Sequence, residues 1–434
     1  MKKICSLFLV LFLCAQNADA MNLSLADATA RIITESQDIN KAVANIERAR
    51  AGLSAVDANR RLNVSTSASY MNLINVERPG QAMEISIPPM PPLLSAPIFV
   101  PFPQHIGMVG VSATQPIYTF GKIGHAADAA RTAIRMAESG HALAYAEVRA
   151  AAIQIYWTAK MTDEMVRIAE KNLRASTDAK RQLERAGRAN RANLVQISAD
   201  IAVKEIALSD AKFNRDSAHR LLKVMAGINS NERLVLTDEF PTNFTELNAP
   251  NVLSSNHEWD ILEKQAQMYE SQSRSRRAGR LPTIAATASY NWTMMHDQHT
   301  VWDGDRNQSA NWGLAIAMPI FEGGLSRANA TMDAMAAESA RQDLDKSRRM
   351  RSNEYRDALL RHEHLRQNLA KLRNAHDLAE RAASISADRF ASGQTSAVEL
   401  AEVQAGLAQM DMALVNAKFN IIMAEASVER LSGR

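Results

Sequence analysis

Residues 397–431 read AVELAEVQAGLAQMDMALVNAKFNIIMAEASVERL, and the fold follows from that stretch. Leu400, Leu407, Leu414, Ile421 and Val428 recur every seventh residue, and Val403, Met410, Ala417, Ala424 and Leu431 follow each by three. This is the a/d spacing of a helix that packs along a seam. Upstream, Leu365, Leu369, Leu372, His376, Ala379, Ala383, Ser386 and Phe390 step by alternating fours and threes, and residues 391–396 (ASGQTS) part the two runs. The pattern predicts a helical hairpin. Its first arm, from about Gly324 to Phe390, would extend roughly 100 Å at 1.5 Å per residue, too long for a helix of a globular domain. Such an arm needs partners to bury its seam.

Working outward, the same parts occur twice. Ala211-Lys212-Phe213-Asn214 returns as Ala417-Lys418-Phe419-Asn420, and Gly187, Leu194, Ala199 and Gly227 match Gly393, Leu400, Ala405 and Gly433 at the same offset. Ala68-Ser69-Tyr70 returns as Ala288-Ser289-Tyr290, and Pro116-Ile117-Tyr118 as Pro319-Ile320-Phe321. An internal duplication explains this. The expected division is a leader over 1–20, a first repeat over 21–227, a connector over 228–256 and a second repeat over 257–434. Each repeat opens with a helix, Leu25 to Arg60 in the first and about Glu258 to Gly279 in the second.

Alternating runs follow these helices. Ile284, Ala286, Ala288, Tyr290 and Trp292 are apolar, while Ala285, Thr287, Ser289 and Asn291 between them are small or polar. Trp312, Leu314, Ile316 and Met318 alternate in the same way, with Val109, Val111 and Ala113 in the matching places of the first repeat. A period of two with one apolar and one wet face is a half-solvated strand. Two hairpins give four strands per chain. The 13 prolines all fall in these strands, their loops and the connector, which leaves both stretches after Pro116 and Pro319 open to uninterrupted helix. Residues 88–103 are proline-rich and read as a rigid turn between the first two strands.

Compartment and charge narrow the function. Lys2-Lys3, the apolar run Ile4 to Leu13 and Ala18-Asp19-Ala20 read as a secretory signal cleaved after Ala20. Leu13 is bulky where a lipoprotein signal before Cys14 has a small residue. Cys5 and Cys14 both lie in the leader, so neither disulfides nor thiol catalysis is expected. The net charge of +3 gives no basic field for nucleic acid. No later segment reaches the ~20 apolar residues of a spanning helix, so a membrane crossing would be made by strands. Four strands cannot span alone, because their edges would leave unpaired N–H and C=O groups in hydrocarbon. A trimer contributing about 12 strands is the smallest arrangement with an open lumen. The expected class is therefore an α+β membrane protein with long helical hairpins and a shared β-barrel.

These residues resemble the TolC-type outer-membrane efflux family. The resemblance rests on Leu23-Ser24-Leu25-Ala26-Asp27-Ala28 opening the first helix, Leu281-Pro282-Thr283 before a strand, Pro319 to Gly324 before the long helix and Arg389 to Gly393 at the hairpin tip. The first repeat departs from it, with Arg61-Leu62-Asn63 lacking the proline and Gln182 to Gly187 in place of the Arg-Phe tip. The resemblance implies a homotrimer in the outer membrane continued by a helical barrel through the periplasm, docked by a periplasmic adaptor and an inner-membrane pump. The substrate would be small molecules or secreted proteins. It also implies a pore constriction at Glu399 and Glu402 beside Phe390, and adaptor contacts at Gly187, Ala189, Leu194, Gly393, Ser396 and Leu400. Ser396-Ala397-Val398-Glu399 is equally a capping box, so Glu399 has a structural reading beside the functional one.

Tyr70, Tyr290, Trp292 and Trp312 read as membrane-interface aromatics, with sheet packing as the plainer alternative. His376 sits on a seam and reads as a hydrogen-bonded core histidine, and Met294-Met295-His296 as a solvated loop. No catalytic constellation, cofactor site or metal site is expected. The rival reading is a soluble periplasmic coiled-coil scaffold or adaptor, for which the heptads alone would suffice but the alternating aromatic strands would have no use.

Overall fold

The computed structural model describes residues 21–72, 105–185, 191–248, 250, 253–296 and 305–433. In chain order they form β1 (Met21–Leu23), α1 (Leu25–Glu35), α2 (Gln37–Ala58), β2 (Asn63–Asn72), β3 (His105–Tyr118), α3 (Lys122–Arg185) and α4 (Arg191–Met225). Then come β4 (Leu234–Leu236), α5 (His257–Ala278), β5 (Thr283–His296), β6 (Asp305–Ala317), α6 (Leu325–Ala391) and α7 (Ala397–Ser432). A helix, two strands and two long helices follow one another twice, as α2, β2, β3, α3 and α4 and again as α5, β5, β6, α6 and α7, and α3 and α6 run 64 and 67 residues without a proline to break them. Two compact units result, one from residues 1–46, 136–263 and 342–434, the other from 47–135 and 264–341.

The helical unit is built on the seams. Leu369, Ser386 and Phe390 of α6 are buried, and Leu365, Leu372, His376, Ala379 and Ala383 between them are half-buried, so the alternating spacing marks the packed face. The α7 heptad departs from its reading. Leu400, Ile421, Ala424, Val428 and Leu431 are buried, yet Leu407 and Leu414 are only half-buried, while Ala408, Val415 and Ile422 beside them are enclosed. Here α7 packs along two stripes, since it meets several neighbours rather than one partner strand of a coiled coil.

The largest core gathers Tyr156 and Trp157 of α3, Leu222 of α4 and Val415 and Ile422 of α7 around Leu23, Ile32, Leu234, Leu236 and Phe240. Two expectations change at this core. The opening helix is two helices: Ser36 adopts extended ψ 118, and its Oγ then accepts from Ile39 N at 3.4 Å. The stretch 228–256 does more than connect, because β4 pairs parallel with β1, Met21 against Leu234 and Leu23 against Leu236. Tyr156 Oη donates to Asp238 Oδ2 at 2.7 Å, and Leu25 N donates to the same oxygen at 2.6 Å. Burial, and next the bond to Asp238, push the Tyr156 phenol well above its ordinary pKa, so it stays a donor.

The sheet unit holds an antiparallel sheet in the order β2-β3-β5-β6. Its edges, β2 and β6, have no partner among the described residues. Register fixes two chemically distinct faces. Val64, Thr66, Ala68 and Tyr70 stand beside Ala113, Val111, Val109 and Gly107, and these beside Ala288, Tyr290, Trp292 and Met294. On the same face Ala288 meets Trp312, Ala286 meets Leu314 and Ile284 meets Ile316. The opposite face pairs Ser65 with Ser112, Ser289 with Asn311, Asn291 with Ser309 and Thr293 with Asn307. Pro116 is accommodated at a register shift near the end of β3.

No helix among the described residues is long and apolar enough to cross a membrane. Met294-Met295-His296, read above as a loop, are the last residues of β5, because the strand pairing with β3 continues to its start at His105; the segment 88–103 and the residues Ala20, Gly187 and Ala189 lie outside the described residues.

Candidate functional site

The turn between α6 and α7 and the start of α7 bring together Phe390, Gly393, Ser396, Glu399, Leu400 and Glu402. α6 closes through a left-handed Gly393 at φ 79, where Gly393 N donates to Phe390 O at 3.0 Å and Gln394 N to Arg389 O at 2.8 Å. These two bonds satisfy the last carbonyls of the helix, and a residue with a Cβ would pay for that φ. Ser396 then caps α7, its Oγ accepting from Glu399 N at 3.2 Å.

Below this turn Phe390 (5% exposed) and Leu400 (2% exposed) pack with Ala179 of α3, Ile197 of α4 and Ala397. Phe390 therefore holds the two tips together in the protomer, and Leu400 lies behind the surface expected to receive an adaptor. Leu194 is half-buried, and Ser396 is exposed with its hydroxyl used as the cap. A cleft of about 540 Å³ opens between the tips, lined by Gln182, Leu183, Arg185, Asn193, Phe390 and Gly393.

The two carboxylates differ in their surroundings. The Thr395 hydroxyl donates to the Glu399 carboxylate, and Arg389 Nη1 stands 4.0 Å from it. Glu399 is thus engaged in the cap, as its sequence position allowed. Glu402 lies one turn along on the same helix, exposed and without an ion pair among the described residues.

Sequence reasoning missed a polar knot that ties the two hairpins. Lys204 Nζ on α4 is almost fully enclosed, with Ser176 Oγ of α3 at 2.5 Å, Asp200 Oδ2 at 2.9 Å and Gln404 Oε1 of α7 at 3.4 Å. A buried ammonium is tolerated because its three protons all find acceptors. A signal existed: Lys204 is seven residues after the buried Ile197, a charge at a seam position. Asp411 of α7 makes a second tie, accepting from His376 Nε2 at 2.7 Å and from Lys171 Nζ at 3.2 Å. His376 is therefore a hydrogen-bonded seam histidine. Its ring also lies with the exposed Asp377 and Glu380 in a group whose ligand atoms fall within 4.8 Å of one another.

Tyr70, Tyr290, Trp292 and Trp312 all stand on the apolar face of the sheet, with Trp312 90% exposed. Tyr290 and Trp292 meet edge to face at 4.5 Å, and Tyr290 Oη donates to Gln308 Oε1 at 2.9 Å. Tyr290 thus presents an exposed ring with its polar tip tethered.

Residues 249–434 match the family model described as outer membrane efflux protein. That match spans somewhat less than half of the chain. The fold extends the likeness over both repeats: the CmeC outer membrane channel of Campylobacter jejuni is similar with TM-score 0.75 at 16% identity, over 94% of this chain and 85% of that one. VceC, an outer membrane protein of Vibrio cholerae, gives TM-score 0.73 at 16% identity, over 94% and 96%. The open state of the Neisseria gonorrhoeae MtrE outer membrane channel gives 0.75 at 15% identity, over 94% and 88%. Among curated proteins none matches the chain. The resemblance read from the tip and strand motifs is thus confirmed, and the fold is that of outer membrane channels.

Proposed function

We propose that this chain is an outer membrane efflux protein and acts as a passive duct, made when three copies join their sheets edge to edge. β6 of one copy would pair with β2 of the next, closing a barrel of about 12 strands. The observation that carries this reading is the sheet itself: among the described residues it has four strands and two unpaired edges, an exposed apolar face bearing Trp312, Leu314 and Ile316, and a hydroxyl- and amide-rich opposite face. An open edge in hydrocarbon costs several kcal/mol per unpaired group, which drives closure with further copies. The apolar face then meets lipid and the serines and asparagines line water. A soluble scaffold would have no use for such a face.

In the same reading the long hairpins pack into a periplasmic conduit. α4 supports this with exposed Val195, Val203, Ile206, Phe213, Leu221 and Val224, a stripe left for a neighbouring copy. Glu402, with Glu399 behind it, would repeat around the threefold axis and give the entrance a negative, cation-attracting field. An adaptor would grip the tip turns around Gly393 and Ser396, with an inner-membrane pump supplying the energy. The exported molecules are small solutes or secreted proteins.

Flotation of the protein with outer-membrane vesicles, together with ion conductance in planar bilayers, tests the reading. Membrane insertion and a water-filled pore are expected. A chain that stays in the aqueous fraction and conducts nothing would overturn it.

A further inference from the structure

One end of the sheet, where β2 and β5 begin and β3 and β6 finish, carries a belt that barrel closure does not require. Arg60 and Arg61 precede β2, Arg277 and Arg280 precede β5, and Lys122 follows β3. The chain brings these segments together: Gln115 Nε2 donates to Arg60 O at 2.5 Å, and Ser275 Oγ donates to Lys122 O at 2.8 Å. A Cβ on Gly124 would lie 3.9 Å from Arg60 Nη2, which places that guanidinium over the start of α3.

Among the described residues Arg61, Lys122, Arg277 and Arg280 make no ion pair, and all four are exposed. The acids of this end are few. Glu322 accepts from the Ser326 hydroxyl, Asp57 is half-buried, and Asp333 already faces Arg276 at 3.6 Å. Arg277 in the last turn of α5 has a plain role in complementing the helix dipole, but Arg61 and Arg280 lie beyond the helix ends and have none.

Beside the cations stands a row of exposed apolar groups at the same strand ends: Leu62, Tyr118, Phe120, Leu281, Ile320 (93% exposed) and Phe321 (90% exposed). Phe120 holds a left-handed backbone at φ 47, a conformation costly for a residue with a Cβ. That backbone sets its ring edge to face against Tyr118 at 4.6 Å, still open to solvent. Rings and aliphatic groups level with free guanidinium groups match the layering of a bilayer boundary, acyl chains on one side and phosphates on the other.

We infer that this belt binds the headgroups of anionic phospholipids, Arg61, Arg277 and Arg280 taking phosphate while Ile320, Phe321 and Phe120 enter the acyl region. The inference rests on the duct reading for its membrane, and adds to it a lipid partner at the strand ends joined to the helices. Guanidinium recognises phosphate by paired N–H donors, whereas zwitterionic headgroups offset that attraction with their own cation.

The test is native mass spectrometry of the full chain purified in detergent with equal amounts of palmitoyl-oleoyl phosphatidylglycerol and phosphatidylcholine. The wild type is expected to retain phosphatidylglycerol several-fold over phosphatidylcholine, and less so as salt rises. Arg61→Gln/Arg277→Gln/Arg280→Gln should bring the ratio close to equality, while the triple Arg→Lys variant, which keeps the charge but not the paired donors, retains part of the preference. The two triple variants share their sites, so loss in one and retention in the other separates charge from folding. No preference in the wild type, or an unchanged preference in the glutamine variant, would overturn the inference. Displacement of the lipid by inorganic phosphate at equal concentration would overturn it in favour of a free anion site. Vesicle flotation of the same preparation distinguishes the levels: a chain that floats without lipid preference loses this inference alone, and one that does not float loses the duct reading as well.

Discussion

Tyr156 and Asp238 are joined by a hydrogen bond of 2.7 Å, although 82 residues separate them in the chain. Asp238 accepts from Leu25 N with the same oxygen, so one carboxylate fastens α3, the end of β4 and the start of α1. Tyr156→Phe should cost about 1–3 kcal/mol, since Asp238 stays in place with a donor missing. Asp238→Ala should cost more, because it also strips the first amide of α1. Thermal unfolding of both variants, followed by circular dichroism at 222 nm, checks the order. Equal and negligible shifts would show that the bond does not hold these elements.

The tip cluster predicts a local failure. Leu400→Ala empties a site enclosed by Phe390, Ala397 and Ile197 and should cost about 2–5 kcal/mol. The loss should appear as protease cleavage between Phe390 and Ser396 before the rest of the helical unit opens. Leu407→Ala, at a half-buried position of the same heptad, should cost less. A reversed order would restore the single-seam reading of α7.

Lys418 and its repeat partner Lys212 test what duplication leaves free to diverge. Lys212 is exposed, 3.8 Å from Glu170, whereas burial and then the nearby Arg373 hold the Lys418 pKa below the usual lysine value. A lysine with a depressed folded pKa binds fewer protons folded than unfolded, so it opposes folding below that pKa and less so as pH rises towards 10.4. Lys418→Met should therefore raise the melting temperature at pH 7, and its advantage should shrink in alkaline buffer. A destabilised Lys418→Met at neutral pH would mean that the ammonium makes a favourable contact outweighing its desolvation.

What could be read from the residues was what has a period. Leu369, Ser386 and Phe390 gave the α6 seam, and Trp312, Leu314 and Ile316 gave the apolar face of β6, because spacing alone decides which way such side chains turn. Ser36 escaped notice because the apolar rhythm continues across it, and a serine that ends one helix and begins the next looks like any surface serine. Leu234-Val235-Leu236 is too short to show alternation, and its partner Met21-Asn22-Leu23 lies more than 200 residues away, so the β1–β4 pair is visible only in three dimensions. At the tip the carboxylates and the capping box were legible. The burial of Leu400 and the Lys204 knot depend on three helices at once, which no local pattern encodes.

Permeation should depend on Glu402 more than on Glu399. Glu402 makes no ion pair among the described residues, so Glu402→Gln removes charge from the proposed entrance without touching the cap, whereas Glu399→Gln also weakens the contact with Thr395. Reversal potentials in planar bilayers under a salt gradient should show reduced cation selectivity and weaker divalent block for Glu402→Gln, with unchanged melting. Unaltered selectivity in the Glu399→Gln/Glu402→Gln double variant would move the constriction away from these acids.

The edges β2 and β6 of the four-stranded sheet, unpaired among the described residues, would be satisfied inside a membrane only by further copies. Native mass spectrometry of the protein extracted from outer membranes in mild detergent reads the number of copies directly. Three chains per particle is the predicted result. A particle of one or two chains, or a chain recovered without detergent, would contradict it.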